Sequence, residues 1–210
     1  MLLPGDPGRA LRLAQQLIEG PRMLNHNRGL WGYSGPAADG RPLTIQATGI
    51  GGPSAAAVVE ELIALGARRL VRVGTCRALG DLALGALVVA DRALPFDGAS
   101  RALGAGEPPA PDARLLRALA RTAGPQSTTG AVATVDLFYG PVDPAWQKAG
   151  AVAVDLESAT ILALARHHGV AAACLLVVAG RPGGERIGDE ALLEAEQQLG
   201  SAAAAALGAA

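Results

Sequence analysis

Six short stretches of this 210-residue chain bring glycine, hydroxyl and charge together: "PGDPGR" at 4–9, "GIGGPS" at 49–54, "GTCRAL" at 74–79, "DLFYG" at 136–140, "DLESAT" at 155–160 and "AGRPGG" at 179–184. Glycine-rich turns expose backbone N–H groups, and arginine supplies a fixed, forked cation. Together they suit a bound anion such as a phosphate. The same residues also suit a tight turn that only feeds a helix, so no single stretch decides between the two. Arg72 stands apart, because it interrupts the apolar run "LVRVG", where an unpaired arginine is costly. An ordinary edge-strand or salt-bridged arginine is the alternative reading of that position. Arg9 and Arg28 taken alone read as surface charges. Glu157 alone reads as a helix-end carboxylate that complements the helix dipole.

Each stretch follows an apolar run, so the elements that carry them matter. "MLL" reads as a short strand, and Pro7 to about Glu19 as a helix with proline near its start and Gly20 as its stop. "LWGYSG" and "PLTIQATG" read as two strands around a turn at Asp39-Gly40. "SAAAVVEELIAL" reads as a helix, followed by strands at "RLVRVG" and "ALVVAD". "PDARLLRALARTAG" reads as a helix, and "TTGAVATVD" and "AVAVD" as strands. A helix from Glu157 to about His168, the strand "AACLLVVAG" and a helix from Asp189 to about Leu207 complete the series. This alternation predicts an α/β sandwich around a mostly parallel sheet, in one domain spanning 1–210. Ligands of such folds bind beyond the carboxyl ends of the strands, where all six stretches fall.

Bulk composition narrows the function classes. Half of the residues are hydrophobic, enough for a large core. The net charge of −1 gives no footprint for nucleic acid or for an anionic membrane. No apolar run is long enough for a transmembrane helix, and no basic leader is visible, so a cytoplasmic setting is expected. Cys76 and Cys174 fit no metal-ligand spacing and read as buried free thiols, so no metal is expected.

The stretches "PGDPGRA", "NRGLWGYSG", "TGIGGPSAAAVVEEL", "RVGTCRAL", "DLFY" and "DLESAT" follow one another in a familiar order and spacing. The chain resembles the nucleoside phosphorylase family, which contains uridine phosphorylase and the hexameric bacterial purine nucleoside phosphorylases. "FDGAS" at 96–100 leans towards the uridine branch. The resemblance implies a three-layer α/β fold whose mixed sheet curls into a partial barrel. It implies reversible phosphorolysis, in which a nucleoside and inorganic phosphate give a free base and ribose 1-phosphate, with no further cofactor. By the same resemblance, Gly5, Arg9, Arg72 and Thr75 hold phosphate, and Arg28 comes from a neighbouring subunit of a homo-oligomer. Leu156, Glu157 and Thr75 face the ribose. Cys76, Arg77, Phe138, Asp155 and Arg181 face the base, with Arg72, Glu157 and Arg181 as the catalytic set.

Departures from the family concentrate at the base end. Gly180 stands where the purine branch has a proton-donating aspartate, and Arg181 matches an arginine of the uridine branch. The Gln and Arg with which uridine phosphorylases read the pyrimidine edge have no counterpart in "FYGPVDPAW". Arg77 replaces a usual glycine, Leu156 a usual methionine, and Asp155 a frequent glutamate. Gly29 replaces a glutamate that supports a monovalent cation in some relatives, so no such site is expected. A uridine-like substrate is therefore favoured. A purine phosphorylase, a hydrolytic nucleosidase and a non-catalytic nucleoside-binding protein are the alternatives. Arg9, Arg28 and Arg72 weigh against the hydrolase.

Overall fold

The computed structural model describes residues 1–210. Nine strands form one mixed sheet: β1 (Leu2–Leu3), β2 (Arg22–Asn25), β3 (Gly32–Pro36), β4 (Pro42–Gln46), β5 (Arg69–Ala78), β6 (Leu87–Pro95), β7 (Thr128–Thr134), β8 (Ala151–Asp155) and β9 (Ala171–Gly180). Their order is β2-β3-β4-β1-β5-β8-β7-β6-β9, and β9 pairs back onto β5, which closes the last five strands into a ring. β1 lies parallel to both β4 and β5, whereas β8 runs antiparallel to β5 and β6 antiparallel to β9. The sheet is thus mixed rather than mostly parallel, and partly barrel-like, as the resemblance implied.

Seven helices cover it: α1 (Pro7–Leu17), α2 (Gly52–Ala64), α3 (Gly98–Ala102), α4 (Ala113–Thr122), α5 (Pro144–Lys148), α6 (Ser158–His168) and α7 (Asp189–Ala209). The short helices α3 and α5 and the strand β2 were not foreseen from sequence. No helix is long and apolar enough to cross a membrane. Both cysteines are buried free thiols.

The two faces of β5 and β9 sort by the two-residue period of a strand. Val71, Val73, Ala173, Leu175 and Val177 pack with Leu13 of α1, Leu115 of α4 and Leu199 of α7. Leu70, Cys76, Cys174, Leu176 and Val178 pack with Val59 of α2 and with Ile161 and Leu164 of α6. A sheet buried on both faces is why these strands read as unbroken apolar runs. Two buried layers also leave the strand ends as the natural place for polar chemistry.

Three loops meet at that edge. Leu2 of β1 stands beside both Ile45 and Val71, so the chain leaves β1, β4 and the middle of β5 side by side. Thr48 N donates to Pro4 O at 2.8 Å, and Gly49 N to Gly5 O at 3.1 Å. Gly49 has φ +74°, and a β-carbon there would lie 2.3 Å from Ser54 Oγ. Only glycine fits that crossing. Asp6 caps α1 through a 2.6 Å bond from Arg9 N, which starts the helix one turn beyond the loop. "FDGAS" proves to be another helix start: Asp97 is fully buried, caps α3 at Ser100 N and accepts from Thr160 Oγ1 of α6 at 2.8 Å.

Candidate active site

A cleft of about 530 Å³ opens at this edge of the sheet. Gly5, Arg9, Arg72, Thr75, Cys76, Arg77, Phe138, Asp155, Leu156 and Glu157 all line it. Ten of the twelve residues expected from sequence therefore converge on one cavity. Asp6, Arg186 and Leu192 line it as well.

Its floor is a buried ion cluster. Arg72 rises from the interior of β5 with its side chain 3% exposed. Asp155, the last residue of β8, accepts from Arg72 Nε at 2.9 Å, and Glu157 Oε2 lies 2.6 Å from Arg72 Nη2. Burial opposes the charge on Arg72, but Glu157 and Asp155 outweigh it and hold the guanidinium even more firmly protonated than usual. Glu157 is placed just ahead of α6, where its Oε1 accepts from Gly51 N at 2.6 Å. Burial pushes its carboxyl above the ordinary glutamate range; Arg72 pulls the other way without cancelling the effect.

Asp155 departs from the expected role at the base. Its Oδ1 accepts from Thr134 Oγ1 at 2.8 Å, and its Oδ2 from Ser158 Oγ at 2.6 Å as well as from Arg72. With its side chain fully buried and both oxygens engaged, it has no acceptor to offer a base, and it orients Arg72 instead.

Arg9 reaches the cleft from the first turn of α1 and is 7% exposed. Its Nε donates to Glu196 Oε1 at 2.7 Å. Arg9 and Arg72 are thus both held at Nε by a buried carboxylate. Neither Nη group of Arg9, nor Nη1 of Arg72, makes a hydrogen bond to protein. Two guanidinium groups and the Gly5 loop thus line the same cleft as the Glu157 carboxylate.

At the other end, Arg77 stacks over Phe138 with its guanidinium carbon 4.7 Å from the ring centroid. Partial burial lowers the Arg77 pKa. Cys76 is buried, its Sγ 3.6 Å from Val177 O, and burial raises its thiol pKa far above the ordinary value, so it lines the wall as an inert apolar group.

Arg181 does not line the cleft, which corrects its assignment to the base. Its Nη1 donates to Gly80 O and its Nη2 to Leu82 O, the latter at 3.0 Å, so the side chain pins the 80–82 turn. The chain then doubles back, Gly180 bridges Arg186, and Arg186 is the arginine that borders the cavity. A β-carbon at Gly180 would lie 2.9 Å from Glu185 O, so this return leaves no room for an acidic side chain there. Arg28 also lies outside the cleft of its own chain. It is exposed on the turn Asn27–Gly29, with φ +56°.

No group of three or more histidine, cysteine or acidic side chains is gathered as metal ligands. Sequence reasoning missed Arg186 and Glu196. The first sat two residues from a turn signal, and the second was one of several acidic residues on α7.

The chain is similar over most of its length to several known proteins. A guanosine phosphorylase from Halorubrum lacusprofundi is 37% identical over 187 residues, covering 85% of this chain and 77% of that protein. A uridine phosphorylase from Treponema pallidum is 35% identical over 199 residues, covering 86% and 76%. A DeoD-type purine nucleoside phosphorylase from Alkaliphilus metalliredigens is 36% identical over 188 residues, covering 85% and 80%. The phosphorylase superfamily model matches residues 1–210, which fits the mixed, ring-closed sheet, and the chain belongs to the phosphorylase superfamily.

Proposed function

We propose that the protein catalyses phosphorolysis of a nucleoside, with inorganic phosphate as co-substrate. The observation that carries this reading is the convergence of Arg9, Arg72 and Glu157 on one cleft. Phosphate is a dianion, and the two Nη groups of Arg9 with Nη1 of Arg72, none of them bonded to protein, offer it charge-assisted hydrogen bonds. Gly5 lets the backbone approach it closely, and Thr75 adds a hydroxyl.

Glu157 takes the ribose. A carboxylate on the 2′- and 3′-hydroxyls fixes the ring and stabilises the positive charge that develops at C1′. Because Glu157 Oε2 is 2.6 Å from Arg72, the sugar and phosphate subsites adjoin. A phosphate oxygen bonds to C1′ as the glycosidic bond breaks. Its electron pair passes to the base nitrogen, and the base takes its proton from solvent. Leu156 packs at the sugar.

The base subsite favours a uridine-like substrate. Position 180 offers no acid to protonate a departing purine. Uracil leaves as a stabilised anion, and Arg77 and Arg186 are cations suited to its carbonyl oxygens. A second reading, a 6-oxopurine nucleoside, rests on the guanosine and purine phosphorylase names of similar proteins. Its ring nitrogen takes the electron pair and the ring carbonyl shares the negative charge, so the two arginines serve it too.

The active form is a homo-oligomer in which Arg28 of one subunit completes the phosphate site of the next. Met23 and Leu24 on the edge strand β2, and Ile50 beside the cleft, are exposed apolar side chains at 52%, 51% and 74%. A run of this kind next to Arg28 is a surface suited to burial against a second copy.

Three outcomes follow. Glu157→Gln keeps the volume but loses the charge, and should lower kcat/KM about 10²-fold, or about 3 kcal/mol of transition-state stabilisation. In the wild type, protonation of Glu157 removes the same charge, so kcat/KM should fall on the acid side, beginning above the usual glutamate range. A profile flat down to that range would refute the role.

A kcat/KM panel of uridine, thymidine, inosine, guanosine and adenosine should rank uridine first and adenosine last. Arg77→Ala and Arg186→Ala should each depress uridine turnover, while Arg181→Ala acts only through stability. If inosine or guanosine leads the panel, the 6-oxopurine reading replaces the uridine one.

Finally, Arg9→Ala and Arg28→Ala chains expressed together should recover activity that neither has alone, through one repaired site per mixed pair. Activity no higher than in the separate variants would rule out a shared site.

A further inference from the structure

Glu196 is a buried carboxylate that the reaction above does not use. It lies in the middle of α7, on a face otherwise made of Ala195, Leu199, Ala202 and Ala203, and is 3% exposed. It accepts from Arg9 Nε at 2.7 Å through Oε1 and from Arg12 Nη2 at 2.6 Å through Oε2. Arg9 and Arg12 are three residues apart on α1 and so share a helix face. Arg12 also lies 3.8 Å from Asp6 Oδ1, the atom that caps α1 at Arg9 N.

Holding α7 against α1 does not require this charge. Gly200 already lets α7 close on Leu13 and Leu17. Apolar contacts of that kind are cheaper than taking a carboxylate out of water. The cluster instead addresses the orientation of Arg9. An arginine offers its fork in a plane, and a carboxylate on Nε fixes that plane while leaving both Nη groups free. Asp155 likewise holds Arg72 at Nε, at 2.9 Å, although there Glu157 also pairs with Nη2 and leaves only Nη1 without a protein partner. A buried carboxylate on Nε is thus common to Arg9 and Arg72. Leu192, one turn before Glu196 on α7, is part of the cleft wall.

We propose, on the basis of the phosphorolytic reading, that Glu196 is a positioning residue for phosphate. It fixes Arg9 through Nε and aims the Nη pair at the anion, while Arg12 neutralises the extra negative charge. Glu196 itself never touches substrate. Electrostatics and positioning predict opposite signs here. Glu196 is negative, so by charge alone its removal should tighten phosphate binding. By positioning, its removal should weaken it.

The experiment is calorimetric titration of the folded protein with inorganic phosphate in the absence of nucleoside, for wild type, Glu196→Ala, Glu196→Gln and Arg12→Ala. Glu196→Ala should raise the phosphate Kd about tenfold, a change of the size expected when a partner that orients a ligand-binding group is lost. Glu196→Gln should raise it less, because its side-chain carbonyl still accepts from Arg9 Nε. Arg12→Ala should weaken phosphate binding through the lost positive charge. In steady state, the phosphate KM should follow the same order while the nucleoside KM stays within about twofold, a split that mere loosening of α7 would not produce. Should Glu196→Ala not fold, Glu196→Met, which keeps the volume but offers Arg9 Nε no carboxylate or carbonyl acceptor, decides. Phosphate bound by Glu196→Ala, or by Glu196→Met in its place, as tightly as by wild type, or more tightly, would overturn the proposal and leave the phosphorolytic reading intact. A wild type that binds no phosphate at millimolar concentration would overturn both.

Discussion

The buried guanidinium of Arg72 is the constraint on which the rest of the site depends. A cation in the interior of a strand buried on both faces is tolerable only if carboxylates meet it. The fold provides two: Asp155 from the end of β8, through a 2.9 Å bond, and Glu157 from the start of α6, at 2.6 Å. These contacts tie β5, β8 and α6 together at one point. The antiparallel pairing of β8 with β5, Arg77 opposite Val154, brings Asp155 there. Thr134 on β7 then holds Asp155 and also accepts from Ala159 N in α6, which connects a fourth element. The cluster therefore couples the closed ring of strands to the chemistry at its edge.

Charge in this cluster is divided by function. Asp155 has both oxygens engaged and serves orientation. Glu157 keeps its raised pKa, because burial outweighs the help of Arg72, and in the proposed reaction it is the group that meets the sugar. Arg72 remains fully cationic between them, and in the proposed reaction its charge offsets the repulsion between a bound dianion and the carboxylate beside it. The Gly51 N–H that holds Glu157 Oε1 belongs to the same glycine-rich segment that crosses the Gly5 loop. Loops from β1 and β4 thus support the site that β5 and α6 equip.

Much of this arrangement was legible in the sequence. Strand ends followed by Gly, Thr and Arg marked the cleft, and Arg72 was conspicuous as a charge within an apolar run. The helix periods at α1, α2, α4, α6 and α7 were also plain. Other features depended on tertiary packing. β2 is an exposed four-residue edge strand without alternation, and α3 and α5 are single turns held by Asp97 and Asp143 caps. Strand direction in the ring is set by crossovers that composition does not encode, so a mixed sheet read as mostly parallel. "AGRPGGERIG" contains two arginines. The return at Gly183 decides that Arg186 borders the cleft while Arg181 pins the 80–82 turn. Asp155 was misplaced for a similar reason: its position beside Glu157 in the chain says nothing of Thr134 and Ser158, which occupy its oxygens.

The central claim is that the two forked arginines hold a phosphate that attacks the sugar. Phosphorus-31 NMR of the protein with uridine and inorganic phosphate tests it most directly. The account predicts a pentose 1-phosphate resonance that grows in step with free uracil in the wild type and is lost in Arg72→Ala. Free ribose released with uracil at an undiminished rate, with no new phosphorus resonance, would contradict it.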